Sequence, residues 1–194
     1  RSSKEGPRDV IRDNLLTFTG TSNGATGGIT AGAQTDLPTT GTQAASNIID
    51  LGVTSGVPSS ANGGGARDIG VGDDPAMKLS ALVTTAITGG TSLQLQLQGA
   101  PDNGSGAPGS YTTMWTSSAI AEASLVAGAQ IANIDVPRPA PGQALPRYLK
   151  LNFISVGTHS AGAIECGIVL DRDDQILGSG GVYSGYPAGL TVAN

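Results

Sequence analysis

Any chemistry in this chain would have to start from one histidine, one cysteine and fifteen carboxylates. His159 is followed by Ser160 in the stretch Gly157-Thr-His-Ser-Ala-Gly162, and with a distant carboxylate that pair has the composition of a hydrolase triad. Adjacent side chains in a tight turn rarely meet as nucleophile and base, so the ordinary expectation is an exposed turn histidine. Asp171-Arg-Asp-Asp174 offers oxygen ligands for Ca²⁺. It lacks the spaced ligands and the glycine of an EF-hand loop, and reads as a solvated strand end, as does Asp73-Asp74. A glycosidase pair could be drawn from so many acids, but sugar clefts usually carry aromatic platforms, and seven aromatic residues leave few to spare. Gly70-Val-Gly72 has no following helix and no lysine placed for a phosphate loop. Cys166, alone, excludes an intramolecular disulfide and a Cys-based zinc site. No catalytic residue, metal site or cofactor is expected.

The composition points to a binding role. A length of 194 residues suits one domain with a real core. Apolar residues make up 38% and aromatics 4%, so that core must be aliphatic and thin. Thirty glycines and eleven prolines argue against long helices and for short strands joined by turns. Only 13% of residues are charged, against roughly 25% in an ordinary soluble domain, and a surface so poor in charge suits a subunit covered by neighbours. The net charge of −5 does not supply the basic face that displaces counterions from phosphate, so nucleic acid is not an expected partner. No apolar run approaches the roughly 18 residues of a membrane span, and no membrane partner is expected. The start is polar and charged, unlike a signal peptide, and lacks a methionine, so something is expected to have preceded it.

The elements read as β. Asn47-Ile-Ile-Asp-Leu51 is a short strand candidate. Residues 79–87 form a β-branched apolar run, and residues 91–98 alternate strictly, with Leu93, Leu95 and Leu97 on one face and Gln94, Gln96 and Gln98 on the other. Gly89-Gly90 between them suggests a hairpin. Residues 99–110 read as a loop, Tyr111–Trp115 and Ile131–Val136 as strands, and the proline-rich run 137–142 as a stiff connector. Residues 147–155 place Leu149, Leu151 and Phe153 inward, and residues 163–171 place Ile164, Cys166, Ile168 and Leu170 inward. Trp115, Phe153 and Tyr148 lie in strands, where core packing is their ordinary role. Seven or eight short antiparallel strands imply an all-β sandwich, with a jelly roll the preferred version. The expected organisation is an extended N-terminal arm over 1–42, a sandwich over 43–174 and a C-terminal tail over 175–194. Within the arm, Arg1, Lys4, Arg8 and Arg12 are spaced to line one side of a short helix, with Glu5 and Asp9 between them. That is either a solvated ion-pair ladder or a grip on an acidic partner surface.

Several segments together resemble the capsid cement proteins of tailed bacteriophages, in particular a jelly-roll cement protein family of a Bordetella phage. They are Gln43-Ala-Ala-Ser-Asn-Ile-Ile-Asp-Leu-Gly52, Arg67-Asp-Ile-Gly70, the Leu/Gln strand from Ser92 to Gln98, and the closing block from Arg147-Tyr-Leu-Lys-Leu-Asn-Phe153 through Gly162 to Val169-Leu-Asp-Arg172. Asn14-Leu-Leu-Thr-Phe18 looks like the family's opening segment, while residues 19–42 and the tail beyond Gln175 depart from its pattern. The resemblance implies a structural virion protein on the capsid exterior. Its partners would be the major capsid protein and further copies of itself in a small symmetric oligomer, a dimer before a trimer. On that reading the partner-binding residues are expected in the N-terminal arm, with Arg8, Arg12, Leu15, Leu16 and Phe18 as anchors. The competing expectation is a receptor- or carbohydrate-binding sandwich whose rim is built by loops such as Thr54–Gly65 and Gly99–Ser110; a hydrolase centred on His159 is the third.

Overall fold

The computed structural model describes residues 16–23, 28–31, 40–52 and 77–170. Those residues form an all-β antiparallel fold. The strands are β1 (Gly20–Asn23), β2 (Gly28–Ala31), β3 (Gly41–Asp50), β4 (Met77–Ala100), β5 (Thr112–Thr116), β6 (Ile120–Ala121), β7 (Gln130–Asp135) and β8 (Tyr148–Leu170), with one 3₁₀ turn at Glu122–Ser124. β1 and β2 pair as a separate hairpin, and the remaining strands build one sheet in the order β3-β8-β4-β5, with β6 and β7 also bonded to β4.

Two strands of unusual length dominate. β4 has 24 residues and β8 has 23, against a common strand length of about 5–6. They pair in two stretches: Met77–Val83 against Ile164–Leu170, and Ser92–Ala100 against Tyr148–Val156, with register shifts between Val83 and Ser92. Each stretch anchors its own half-sheet. In one, β3 lies beyond β8, and β5 and β6 beyond β4; in the other, β7 pairs with the start of β4. The sheet curls into a half-barrel, so the two halves face each other as a sandwich.

The bends between the halves correct two expectations. Gly89-Gly90 is not a hairpin, and Gly157–Gly162 is not a turn; both lie inside continuous strands. The glycines let two backbones bend and close up rather than reverse direction. A Cβ on Gly90 would stand 2.1 Å from Cε1 of His159, and one on Gly162 would stand 2.7 Å from Cα of Ile87. Four expected strands therefore fuse into two, because both runs of β4 share β8 as partner.

The period-2 patterns fall on the faces the sequence assigns. Leu93, Leu95, Leu97, Leu149, Leu151 and Phe153 of one half and Leu79, Val83, Ile164 and Cys166 of the other are all fully buried, in one continuous core. Each such leucine contributes about 1.5–3 kcal/mol relative to exposure.

A short strap closes the sandwich. Thr17 bridges to Gly167 of β8, and Phe18 N–H donates to the Cys166 carbonyl at 2.9 Å. Cys166 N–H in turn donates to Thr19 Oγ1 at 2.8 Å. On its other side the strap meets β3: Asn47 N–H donates to the Phe18 carbonyl at 2.9 Å, and Asn47 Nδ2 to the Thr17 carbonyl at 2.7 Å. The Phe18 ring is fully buried in the core and Leu16 nearly so. Residues 16–19 thus pack on the folded domain, although the sequence places them in an arm.

Candidate interaction surface

The sequence-expected anchors divide. Leu16 and Phe18 are spent on the chain's own core, because the strap needs apolar groups to fill the seam between the half-sheets, and they are not free to bind a partner. Arg8, Arg12 and Leu15 lie outside the described residues, as do Gly70–Gly72, Asp73-Asp74 and Asp171–Asp174.

His159 is likewise corrected. It is buried in the bend of β8 rather than exposed in a turn, its ring occupying the space a Cβ on Gly90 would need. Neither ring nitrogen has a hydrogen-bond partner. Ser160 Oγ donates instead to the Thr88 carbonyl at 3.3 Å, as alternation along a strand requires of consecutive side chains. The pair is not assembled as nucleophile and base. A pattern missed in the sequence reading, Gly20-Thr-Ser-Asn-Gly24, spells the Gly-x-Ser-x-Gly of a nucleophile elbow. Its first four residues are a strand of an antiparallel hairpin, not the strand-to-helix turn that exposes a catalytic serine. Among the described residues no group of three or more His, Cys, Asp and Glu could hold a metal ion, and no helix is long and apolar enough to cross a membrane, which says nothing of β-barrels.

The densest polar cluster sits where β3 ends and β8 begins. Arg147 grips Asp50 through two bonds, Nε to Oδ1 at 2.9 Å and a terminal nitrogen to Oδ2 at 3.0 Å. Its other terminal nitrogen bonds Asp102, and its guanidinium lies 4.9 Å from the centre of the Tyr148 ring. Asp102 organises the loop after β4, accepting from Gly104 N–H at 2.5 Å and Gly106 N–H at 3.2 Å. Asn103 repeats the arrangement, accepting from Ser105 and Ala107. Burial works against the charged Asp102 carboxylate, but the Gly106 and Gly104 N–H groups and Arg147 outweigh it and hold its pKa below the ordinary value. The bonds to Asp50 lead in raising that of Arg147. Burial raises the phenols of Tyr148 and Tyr111. Both carboxylates are committed to one guanidinium, so the cluster ties three segments together and offers no poised base.

What the fold presents outward is a sheet face made of amides. Gln94, Gln96 and Gln98 of β4 lie beside Asn152 of β8, whose Nδ2 donates to Gln96 Oε1 at 3.2 Å and Gln98 Oε1 at 2.9 Å. Gln94 Nε2 donates to the Ser117 carbonyl at 2.7 Å. The strand register adds Ile154 and Val156 of β8 and Ile48 of β3 to the same face, Val156 being 59% and Ile48 41% exposed. Lys150 on it is held 4.0 Å over the Tyr111 ring, and at its end the register adds Asp50, opposite Tyr148 and ion-paired with Arg147. Interlocked amides and an apolar fringe form an ordered surface with few charges, which suits protein contact.

Against this architecture, a family model described as Bbp16 matches residues 33–168, well over half of the chain. The chain belongs to the Bbp16 family. Bbp16 is a Bordetella phage family, and the match is consistent with a phage protein. The Bbp16 match takes in β3 to β8 as far as Ile168, so it spans all but the last two residues of the curled sheet and includes the amide face, while the strap at 16–19 precedes it. No curated protein matches the chain.

Proposed function

We propose that the chain is a structural virion protein that binds the outside of a phage capsid and cements neighbouring major capsid subunits. The observation that carries this reading is the Bbp16 match across nearly the whole sheet. The amide face supports it: water-facing sheet surfaces ordinarily carry mixed charges, whereas Gln94, Gln96, Gln98, Asn152, Ile48 and Val156 offer a nearly neutral area suited to burial against protein. Low overall charge acts in the same direction. The mechanism is mass action. A protein bound only by the assembled shell stabilises it by RT ln(1 + [L]/Kd) per site, which counters the pressure of packaged DNA. A small symmetric oligomer, a dimer first, would present such a face more than once.

The test is co-sedimentation of the purified protein with empty capsids, followed by thermal rupture of the complex. Saturable binding that raises the rupture temperature is the expected result. Absence of binding transfers the fold to the competing reading, a receptor- or carbohydrate-binding module, for which the amide row and the stiffened loop at Asp102–Pro108 would supply hydrogen-bonding groups; selective binding on a glycan array would favour it.

A further inference from the structure

Among the described residues the sheet is bordered by β3, by β5 with β6, by β7 and by the second stretch of β8, which the strap covers at Cys166 and Gly167. β3 meets the strap through Asn47 and Phe18. β7 carries exposed Asp135, 4.0 Å from Lys78, and Pro137 follows it, both devices that discourage strand addition. β5 is different. From Tyr111 to Ala121 the chain has neither a charge nor a proline, and Thr112, Thr113 and Thr116 are exposed. The hydrogen bonds of β5 run towards β4: through the ladder, from Thr112 Oγ1 to the Gly99 carbonyl, and from Gln98 to Thr113.

The outward groups can be named. Ser117 N–H donates to the Leu95 carbonyl at 2.8 Å, while Leu95 N–H donates to Ser117 Oγ at 2.9 Å, so the inward bonds fall at Leu95/Ser117 and the adjacent Gln96/Thr116 is a non-bonded pair. In an antiparallel ladder the N–H and C=O of a non-bonded pair point away from each other, so those of Thr116 face off the sheet. Such an edge is a template for a further strand, and folded proteins that leave one naked invite aggregation. Among the described residues β5 pairs with β4 alone, which leaves its outer border open to a neighbour in the assembled particle.

Resting on the cement reading, we propose that the β5 edge is a strand-addition site for an extended, uncharged segment of a neighbouring major capsid subunit. Backbone donors and acceptors specify an extended partner, and a charged residue brought onto this border would have no counter-ion along it. The bulge opposite Leu97/Gln98 twists the border, so two copies brought edge to edge would have to match bulge against bulge; a foreign strand meets one.

Thr116→Pro removes the outward N–H and obstructs a new neighbour, while leaving the bonds to β4 untouched. Its co-sedimentation with empty capsids, compared with wild type, should show affinity reduced about tenfold or more, as for the loss of a central contact, with an unchanged melting transition. Thr113→Lys combined with Thr116→Lys should act in the same way by charge, should the proline variant not fold. Amide exchange of the wild type gives a reading without substitution: the segment 112–117 should exchange more slowly on capsids than in solution. Wild-type binding retained by both variants, or exchange unaltered on capsids, overturns the inference alone. Wild-type protein that ignores capsids removes the cement reading and this site with it. A wild-type dimer that the variants convert to monomer, with capsid binding intact, gives the edge to a second copy and overturns the proposal.

Discussion

Phe18 tests whether the opening segment is arm or core. Its ring is fully buried, and its backbone links Cys166 of one half-sheet to Asn47 of the other. Phe18→Ala keeps those backbone bonds and removes only the ring, which isolates the packing contribution. Truncating a buried phenylalanine costs about 3–5 kcal/mol, transfer and cavity together. For a chain of this size each kcal/mol lowers Tm by about 2–4 °C, so a drop on the order of 10 °C is expected. Trp115, the single tryptophan, is half-buried against the core, and its fluorescence should report the transition. Deleting residues 1–19 should cost at least as much as Phe18→Ala, because the strap's hydrogen bonds go too. A loss of less than about 2 °C in Phe18→Ala, well under the range expected for a buried ring, would refute the reasoning and return residues 16–19 to a free arm.

Gly90→Ala should destabilise the fold by about 1–3 kcal/mol through overpacking on His159, and adding His159→Ala should recover part of the loss; additive losses in denaturant melts would disprove the contact. Leu95→Ala should cost about 2–5 kcal/mol, while Gln96→Ala on the opposite face should cost far less in the same melts. Arg147→Ala should lower stability by about 2 kcal/mol, the scale of hydrogen bonds to charged groups, and should loosen the 102–108 loop, seen as faster amide exchange at Gly104 and Gly106. The pKa of Asp102 is lowered in the fold, so its contribution is present above the unfolded value near 4 and is lost as pH falls through the folded value. Tm measured from pH 7 down to pH 3 should therefore fall more steeply in wild type than in Asp102→Asn, and parallel curves would contradict this.

Much of the sheet was legible because burial and alternation are the same fact in a half-buried strand. Leu93-Gln-Leu-Gln-Leu-Gln98 could only face one way, and Leu149, Leu151 and Phe153 likewise. The continuity of β4 and β8 was not legible. Paired glycines signal reversal and bending alike, and only the shared partner strand decides between them. The same ambiguity hid His159, which looked like a turn residue until the bend enclosed it. Phe18 was read as an anchor because aromatic residues commonly dominate interface energy; its partners, Cys166 and Asn47, lie far away in sequence, and no local pattern could reveal them. The ties from Arg147 to Asp50 and Asp102 also join distant positions. The charge-free stretch of β5 could have been sensed as eleven residues without charge or proline, but its place at the end of the sheet could not.

Because β4 and β8 each run uninterrupted through both halves of the sandwich, the halves cannot separate as independent units. A pull applied to one is handed along a covalent backbone to the other. Tension directed along these two strands would slide antiparallel neighbours past one another and oppose many ladder bonds at once, whereas a pull across the sheet would part them singly. A fold with this continuity resists deformation most strongly along one axis, and its orientation on any surface it spans decides how much mechanical resistance it lends.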